Sequence, residues 1–278
     1  MTPEFRIPQN RVFDQCASNA VRFEAAVKEQ YVGDINDYRK YTLLRALADG
    51  GRHRIGVCWM LTPSDDSPDG NKLGYLTLPE RYRAFDPELF DLLGAVVGRD
   101  GGRRLIAIEE SGAIPNARYF NAETPDRREE RESWLDEARL ALAGCDLVFL
   151  DPDNGLAVAS TAKGRKNSSK YVFLDEVATF YAAGQSVLIY QHYPRVERRT
   201  FEAACAASLS SIAPDAQLWR FATGHVVFLL ILHPRAPATL AAEVERAASR
   251  WPDKFIHGDR LTPASSVSEL ATEIIDRD

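Results

Sequence analysis

The sequence predicts an α/β fold: a doubly wound, mostly parallel sheet ending in a C-terminal antiparallel hairpin. Three observations carry that prediction. From Arg54 onward, short apolar runs alternate with longer segments of helical periodicity. The runs Leu147-Val-Phe-Leu150 and Ser186-Val-Leu-Ile-Tyr190 have no polar face, which suits strands covered on both sides of a parallel sheet. Two later runs, Gln217 to Ala222 and Val226 to Leu232, are joined at Thr223-Gly224 in the manner of a hairpin.

Taken in order, Ala17 to Gln30 and Asn36 to Leu47 have apolar residues at helical spacing, with Asp34 and Asn36 available as caps. Arg54 to Leu61 reads as a buried strand, followed by a loop, Thr62 to Asn71, dense in Pro, Asp, Ser and Gly. Asp86 and Pro87 mark the start of a helix running to Val97, and Arg103 to Glu109 reads as the next strand. Pro125 to Ala143 is so charged that a solvated surface helix is expected. After the strand at 147–150, a polar loop covers Ser160 to Lys170, a helix Leu174 to Ala183, and a strand Ser186 to Tyr190. Helices Thr200 to Ile212 and Thr239 to Ala248 bracket the hairpin. One domain over residues 1–278 is expected, with residues 1–50 forming N-terminal helices packed on the sheet.

Composition narrows the function classes. Hydrophobic residues make up 45% and charged residues 27%, enough for a real core and against intrinsic disorder. A formal charge of -6 argues against a protein that coats nucleic acid electrostatically, while leaving room for a local basic patch. Cys16, Cys58, Cys145 and Cys205 show neither CxxC nor metal-ligand spacing and read as reduced thiols. No stretch is apolar over the roughly 20 residues that span a bilayer, so a cytoplasmic protein without a membrane partner is expected. The oligomeric state is not legible.

Ligands of doubly wound sheets bind beyond the carboxyl ends of the strands, which directs attention to the loops after Leu61, Glu109, Leu150 and Tyr190. Asp151-Pro-Asp-Asn-Gly155 holds two carboxylates and an amide in a tight turn that can accept protons, bind a metal or hydrogen-bond an amino group; a plain structural turn is the competing reading. Tyr190-Gln-His-Tyr-Pro-Arg195 offers a base in His192, an amide in Gln191, the Tyr190 ring and a guanidinium. In Gly33-Asp-Ile-Asn-Asp-Tyr-Arg-Lys40, Asp37 and Lys40 share a helical face and are either functional or a surface ion pair. Asp65 to Lys72 is carboxylate-rich but lacks EF-hand spacing, so it reads as a solvated loop. Glu109 and Glu110 stand where an acidic residue often meets a ribose.

The order strand, Asp-Pro-Asp-Asn-Gly, helix, strand, helix, antiparallel hairpin resembles the second half of class I S-adenosylmethionine-dependent methyltransferases, whose Rossmann-like fold holds a target amine at an Asp/Asn-Pro-Pro-Tyr/Phe motif. Gly33-Asp-Ile-Asn-Asp-Tyr-Arg-Lys-Tyr-Thr-Leu-Leu44 and Leu73-Gly-Tyr-Leu76 are similar to segments of J-type 23S ribosomal RNA adenine methyltransferases. The blocks Gly-Asp-x-x-Asp-Tyr, Leu-Thr-Pro, Asp-Gly, Asp-Pro-Asp-Asn-Gly and Gln-His also resemble those of an uncharacterised bacterial family, which implies no activity. The resemblance implies methyl transfer from S-adenosylmethionine to an amino group of a nucleic acid or nucleotide. Asp151, Asp153, Asn154 and His192 are then the catalytic candidates. Asp34, Asp37, Lys40, Asp69, Gly70 and Glu109 are the cofactor candidates, and Lys170, Tyr190, Gln191 and Arg195 face the substrate. The sequence departs from the pattern in having no Gly-x-Gly after Leu61, and in Asp153-Asn154 standing for Pro-Tyr. Two alternatives stay open: a nuclease or phosphohydrolase holding Mg²⁺ or Mn²⁺ on Asp151, Asp153 and Glu109, with His192 activating water, and a non-catalytic nucleotide-binding or interaction module.

Overall fold

The computed structural model describes residues 31–63, 70, 72–99 and 103–262. Its elements are, in order, α1 (Ile35–Ala48), β1 (Ile55–Cys58), α2 (Pro79–Tyr82), α3 (Pro87–Val97), α4 (Leu105–Glu110), β2 (Ala117–Phe120), α5 (Arg128–Ala141) and β3 (Leu147–Leu150). There follow β4 (Gly155–Leu156), β5 (Tyr171–Val172), α6 (Leu174–Ala182), β6 (Ser186–His192), α7 (Arg198–Ile212), β7 (Gln217–Ala222), β8 (Val226–Leu232), α8 (Ala238–Ala248) and β9 (His257–Arg260).

The main sheet has the order β2-β1-β3-β6-β8-β7-β9. Strands β2, β1, β3 and β6 are parallel; β8 runs antiparallel between β6 and β7, and β9 adds antiparallel to β7. Because successive side chains leave a strand on opposite faces, β3 feeds two cores. Leu147 and Phe149 pack with side chains of α1, α3 and α8, whereas Val148 and Leu150 pack with those of α5, α6 and α7. The architecture is the expected Rossmann-like α/β fold with helices on both faces of the sheet.

Helix α1 begins where the sequence places its cap: one Asp34 oxygen accepts from the Asn36 and Asp37 amides at 2.7 and 3.0 Å. Asp86 caps α3 through the Leu89 amide, with Pro87 opening the helix. No helix among the described residues is long and apolar enough to cross a membrane. Cys58, Cys145 and Cys205 are free and buried.

Several expectations are corrected. The segment expected as a strand at 103–109 is helix α4, with Ile108 buried and Ile106 exposed, and the strand beside β1 is Ala117–Phe120. The stop signal was present: Gly112, with φ of +68°, closes α4 in the left-handed conformation glycine adopts without steric cost. Helix α5 is not solvated throughout. Arg131 is 1% exposed, and its guanidinium donates to both Glu176 oxygens at 2.6 and 2.9 Å and to the Ser168 and Tyr171 carbonyls. A dense charge pattern concealed the inward stripe of Arg131, Trp134 and Ala138. Strand β9 has no apolar alternation to announce it, because it joins the sheet edge through its backbone. The helix expected at 17–30, Cys16, and the carboxylates of 65–69 lie outside the described residues.

Candidate functional site

The carboxyl ends of β1, β3 and β6 and the start of α1 surround a cavity of about 550 Å³. Asp34, Asp37, Lys40, Gly70, Asp151, Asp153, Asn154, Lys170, Tyr190 and His192 all line it, so most of the expected residues converge. That volume lies within the range usual for small-molecule sites.

At its centre is a buried charge cluster. The Lys40 ammonium donates to Asp151 Oδ2 at 2.7 Å and to Asp37 Oδ1 at 2.9 Å. The other Asp37 oxygen accepts from the Gly33 amide at 3.1 Å and the Tyr41 hydroxyl at 3.0 Å. Asp37 and Lys40 are therefore no surface pair; they are 4% and 8% exposed. Lys40 Nζ also lies 5.1 Å from the centre of the Tyr190 ring, 5.8 Å from Tyr41 and 5.9 Å from Trp59, within reach of cation–π attraction.

Electrostatics follow from this burial. Loss of solvent pushes the Asp151 carboxyl up to about 6, even though the Lys40 charge and hydrogen bond pull it down. Asp34 is also raised to about 6, by burial and by the neighbouring Asp37 charge. Burial disfavours the Lys40 ammonium, but the Asp151 and Asp37 carboxylates outweigh it and hold Lys40 well above the ordinary lysine value. His192 is lowered, first by desolvation and then by the Lys40 charge, which keeps its imidazole neutral around pH 7.

Each part is tied to the fold. The Asp151 amide donates to the Cys58 carbonyl at 3.0 Å, continuing the β1–β3 ladder into the turn. Asp153 Oδ2 accepts from Thr62 Oγ1 at 2.9 Å, linking this turn to the loop after β1. Where the resemblance leads one to expect a glycine loop, β1 is followed by Trp59 and Met60, and Met60 takes the left-handed region at φ of +49°. The sharp exit from β1 is thus made without glycine.

Two expected site residues, Gln191 and Glu109, are bonded to other parts of the protein. Gln191, expected to face the substrate, spends its amide within the protein: its Oε1 accepts from the Leu156 amide at 2.8 Å, and its Nε2 donates to the Asn154 and His192 carbonyls at 3.0 and 2.8 Å. It braces the Asp151–Gly155 turn against β6. Gly155 is required there, since its φ is +112° and a Cβ would come within 2.3 Å of the Gln191 side chain. Glu109 sits on α4 and not at a strand end; it accepts from Trp59 Nε1 at 2.8 Å and is not among the residues that line the cavity. Burial raises its carboxyl, partly offset by the Trp59 and Asn121 hydrogen bonds. Arg195 is exposed outside the cavity. Asp69 lies outside the described residues. Among those residues no three His, Cys, Asp or Glu side chains are grouped to hold a metal ion.

Asn36, beyond its place at the cap, and Tyr41, Trp59, Met60, Thr62 and Lys72 also stand on the cavity wall, with no motif in the sequence to mark most of them. Tyr41 was accessible, being four residues from Asp37 and on the same helical face. Asn36 Oδ1 is buried with no hydrogen-bond partner among the described residues, and so presents an acceptor awaiting a donor. No protein-family model matches the chain, and no curated protein matches it at a significant level.

Proposed function

We propose that the chain is a methyltransferase-like enzyme that uses S-adenosylmethionine to methylate an amino group of a nucleic acid or nucleotide. The observation that carries this reading is the convergence of Asp151, Asn154, Tyr190 and His192 with Asp34, Asp37 and Lys40 on one cavity at the ligand edge of the sheet. The order β3-α6-β6-α7-β7-β8 supports it, with β8 antiparallel between β6 and β7.

The residues present suit the cofactor through side chains and not through a glycine cradle. Asp34 and Asn36 Oδ1, which has no partner among the described residues, are acceptors for ammonium or hydroxyl groups, and Trp59 supplies an aromatic wall. When bound, S-adenosylmethionine supplies an electrophilic methyl group carried on a sulfonium. The chain supplies the rest. Lys40 holds Asp151 Oδ2 and keeps that carboxylate ionised at neutral pH, leaving Oδ1 to accept an N–H of the acceptor amine and aim its lone pair. The neutral His192 imidazole on the cavity wall takes the proton that the amine nitrogen sheds on methylation. Tyr190 and Trp59 offer the ring faces that Asp153-Asn154 do not.

Isothermal titration with S-adenosylmethionine, paired with transfer of radiolabelled methyl groups to RNA, DNA and nucleotides, tests the proposal. Binding is expected in the parent and in Asp151→Asn, with transfer lost in the variant. No heat at millimolar ligand together with no transferred label overturns it.

A further inference from the structure

The chain as a whole is acidic, with 34 Lys and Arg against 40 Asp and Glu, yet the two segments flanking the Asp151 turn are basic. The loop between β4 and β5 carries Lys163, Arg165 and Lys166 and ends at Lys170, with no carboxylate from Ala157 to Lys170. The segment after β6 carries Arg195, Arg198 and Arg199 against Glu197. Both are tied to the same turn: the Asn154 amide donates to the Lys170 carbonyl at 2.9 Å, and its carbonyl accepts from the His192 amide at 3.3 Å. Lys170 and His192 line the cavity itself.

Some of this charge is already engaged. Lys163 pairs with Asp175 at 2.6 Å, and Arg198 lies 4.6 Å over the Tyr193 ring while donating to the Gly224 carbonyl. The Glu197 carboxylate is occupied in capping α7 through the Thr200 amide at 2.7 Å. Arg199 faces the Glu197 charge, whereas Arg165, Lys166 and Arg195 are exposed and form no ion pair among the described residues. Exposed cations beside a cavity with aromatic walls suit a polyanion that carries bases.

We propose that this rim, formed by the β4–β5 loop and the β6–α7 segment, is a docking surface for single-stranded nucleic acid that delivers an unpaired base to the cavity. The inference rests on the functional reading above and narrows its substrate from nucleic acid or nucleotide to a strand. A stacked base cannot reach Asp151, whose side chain is 13% exposed, so an unpaired or extruded nucleotide is required. An anionic membrane fits less well, because the rim's large exposed apolar side chains among the described residues are Val158 and Val196, too few for an inserted face.

The test is fluorescence anisotropy with labelled single-stranded RNA and DNA oligonucleotides, without S-adenosylmethionine, across a salt series. Lys166→Glu/Arg195→Glu is compared with Arg139→Glu/Arg235→Glu, which makes the same charge change around a second cavity beside the start of β3. Affinity is expected to fall with salt, and the rim variant to lose at least tenfold while the control variant stays near the parent. The slope of log affinity against log salt should shrink by about 0.7 for each phosphate contact removed. Equal loss in both variants, no loss in the rim variant, or binding to phosphatidylserine vesicles in place of oligonucleotides overturns the proposal. Strand binding without methyl transfer keeps this surface and removes the proposed reaction. Methylation of free nucleotides at the parental rate by a rim variant, with no strand binding by the parent, does the reverse.

Discussion

Lys40→Met deletes the ammonium while keeping much of the stem that packs among Tyr41, Trp59 and Tyr190. Lys40 Nζ stands 2.7 Å from Asp151 and 2.9 Å from Asp37, with the three side chains mostly buried, and removing one partner from such a cluster costs about 3–5 kcal/mol. Part of that loss depends on pH, and its sign can be worked out. In the parent, burial raises the Asp151 carboxyl to about 6 against the pull of Lys40. Without Lys40, the remaining influences named, burial and the Asp37 and Asp153 charges, all act upward, so Asp151 stays protonated at pH 7. At pH 5 it is protonated in both proteins, and this part of the difference vanishes. One pH unit separates the parental value from pH 7, so the penalty should be about 1.4 kcal/mol smaller at pH 5 than at pH 7. Urea unfolding of parent and variant at both pH values measures it, with the same pair in an Asp151→Asn background, where the pH dependence of the penalty should disappear. A penalty of equal size at both pH values, or a variant as stable as the parent at pH 7, refutes the reasoning.

Other outcomes follow from the same structure. Asp34 and Asp151 both titrate near 6 in the folded chain against a reference value of 3.8, so the folded state keeps protons that the unfolded state has released. Their combined contribution to stability is therefore lost as pH rises from about 4 to about 6 and is level above that. Asp34→Asn, which preserves a capping side chain, should reduce that slope in urea midpoints measured across the window. Gly155→Ala should cost about 1–3 kcal/mol in thermal or chemical unfolding, since it combines a strained φ with a clash on Gln191; an unchanged midpoint would show that the turn can relax. Arg131→Met leaves Glu176 buried without its main partner and should cost about 3–5 kcal/mol, much of it recovered in Arg131→Met/Glu176→Leu. A double variant no more stable than the single one would assign the loss to packing and not to charge.

The ladder of buried strands was legible because strands covered on both faces need no polar positions, and β3, β6, β7 and β8 all lie where their apolar runs predict. The Asp34 and Asp86 caps were legible because capping is a local matter of a few residues. So was the convergence of Asp151 and His192 on one cavity, since Asp151 follows β3 and His192 ends β6, strands that tertiary packing places side by side. What a residue does once there depended on partners distant in sequence. Asp37 and Lys40 could be read from sequence either as functional or as a surface pair, and only the packing of α1 into the core, with Asp151 arriving 111 residues later to share the ammonium, decides against the surface. Gln191 looked like a ligand contact, but the neighbouring turn consumes its amide; Glu109 looked like the end of a strand, but Gly112 closes a helix there. Arg131 looked solvated because its counter-ion, Glu176, sits on another helix. Local sequence determines where a chain turns and which side chains must be hidden; only the tertiary contacts decide which hidden charges meet, and hence whether a carboxylate is a cap, a brace or an acceptor.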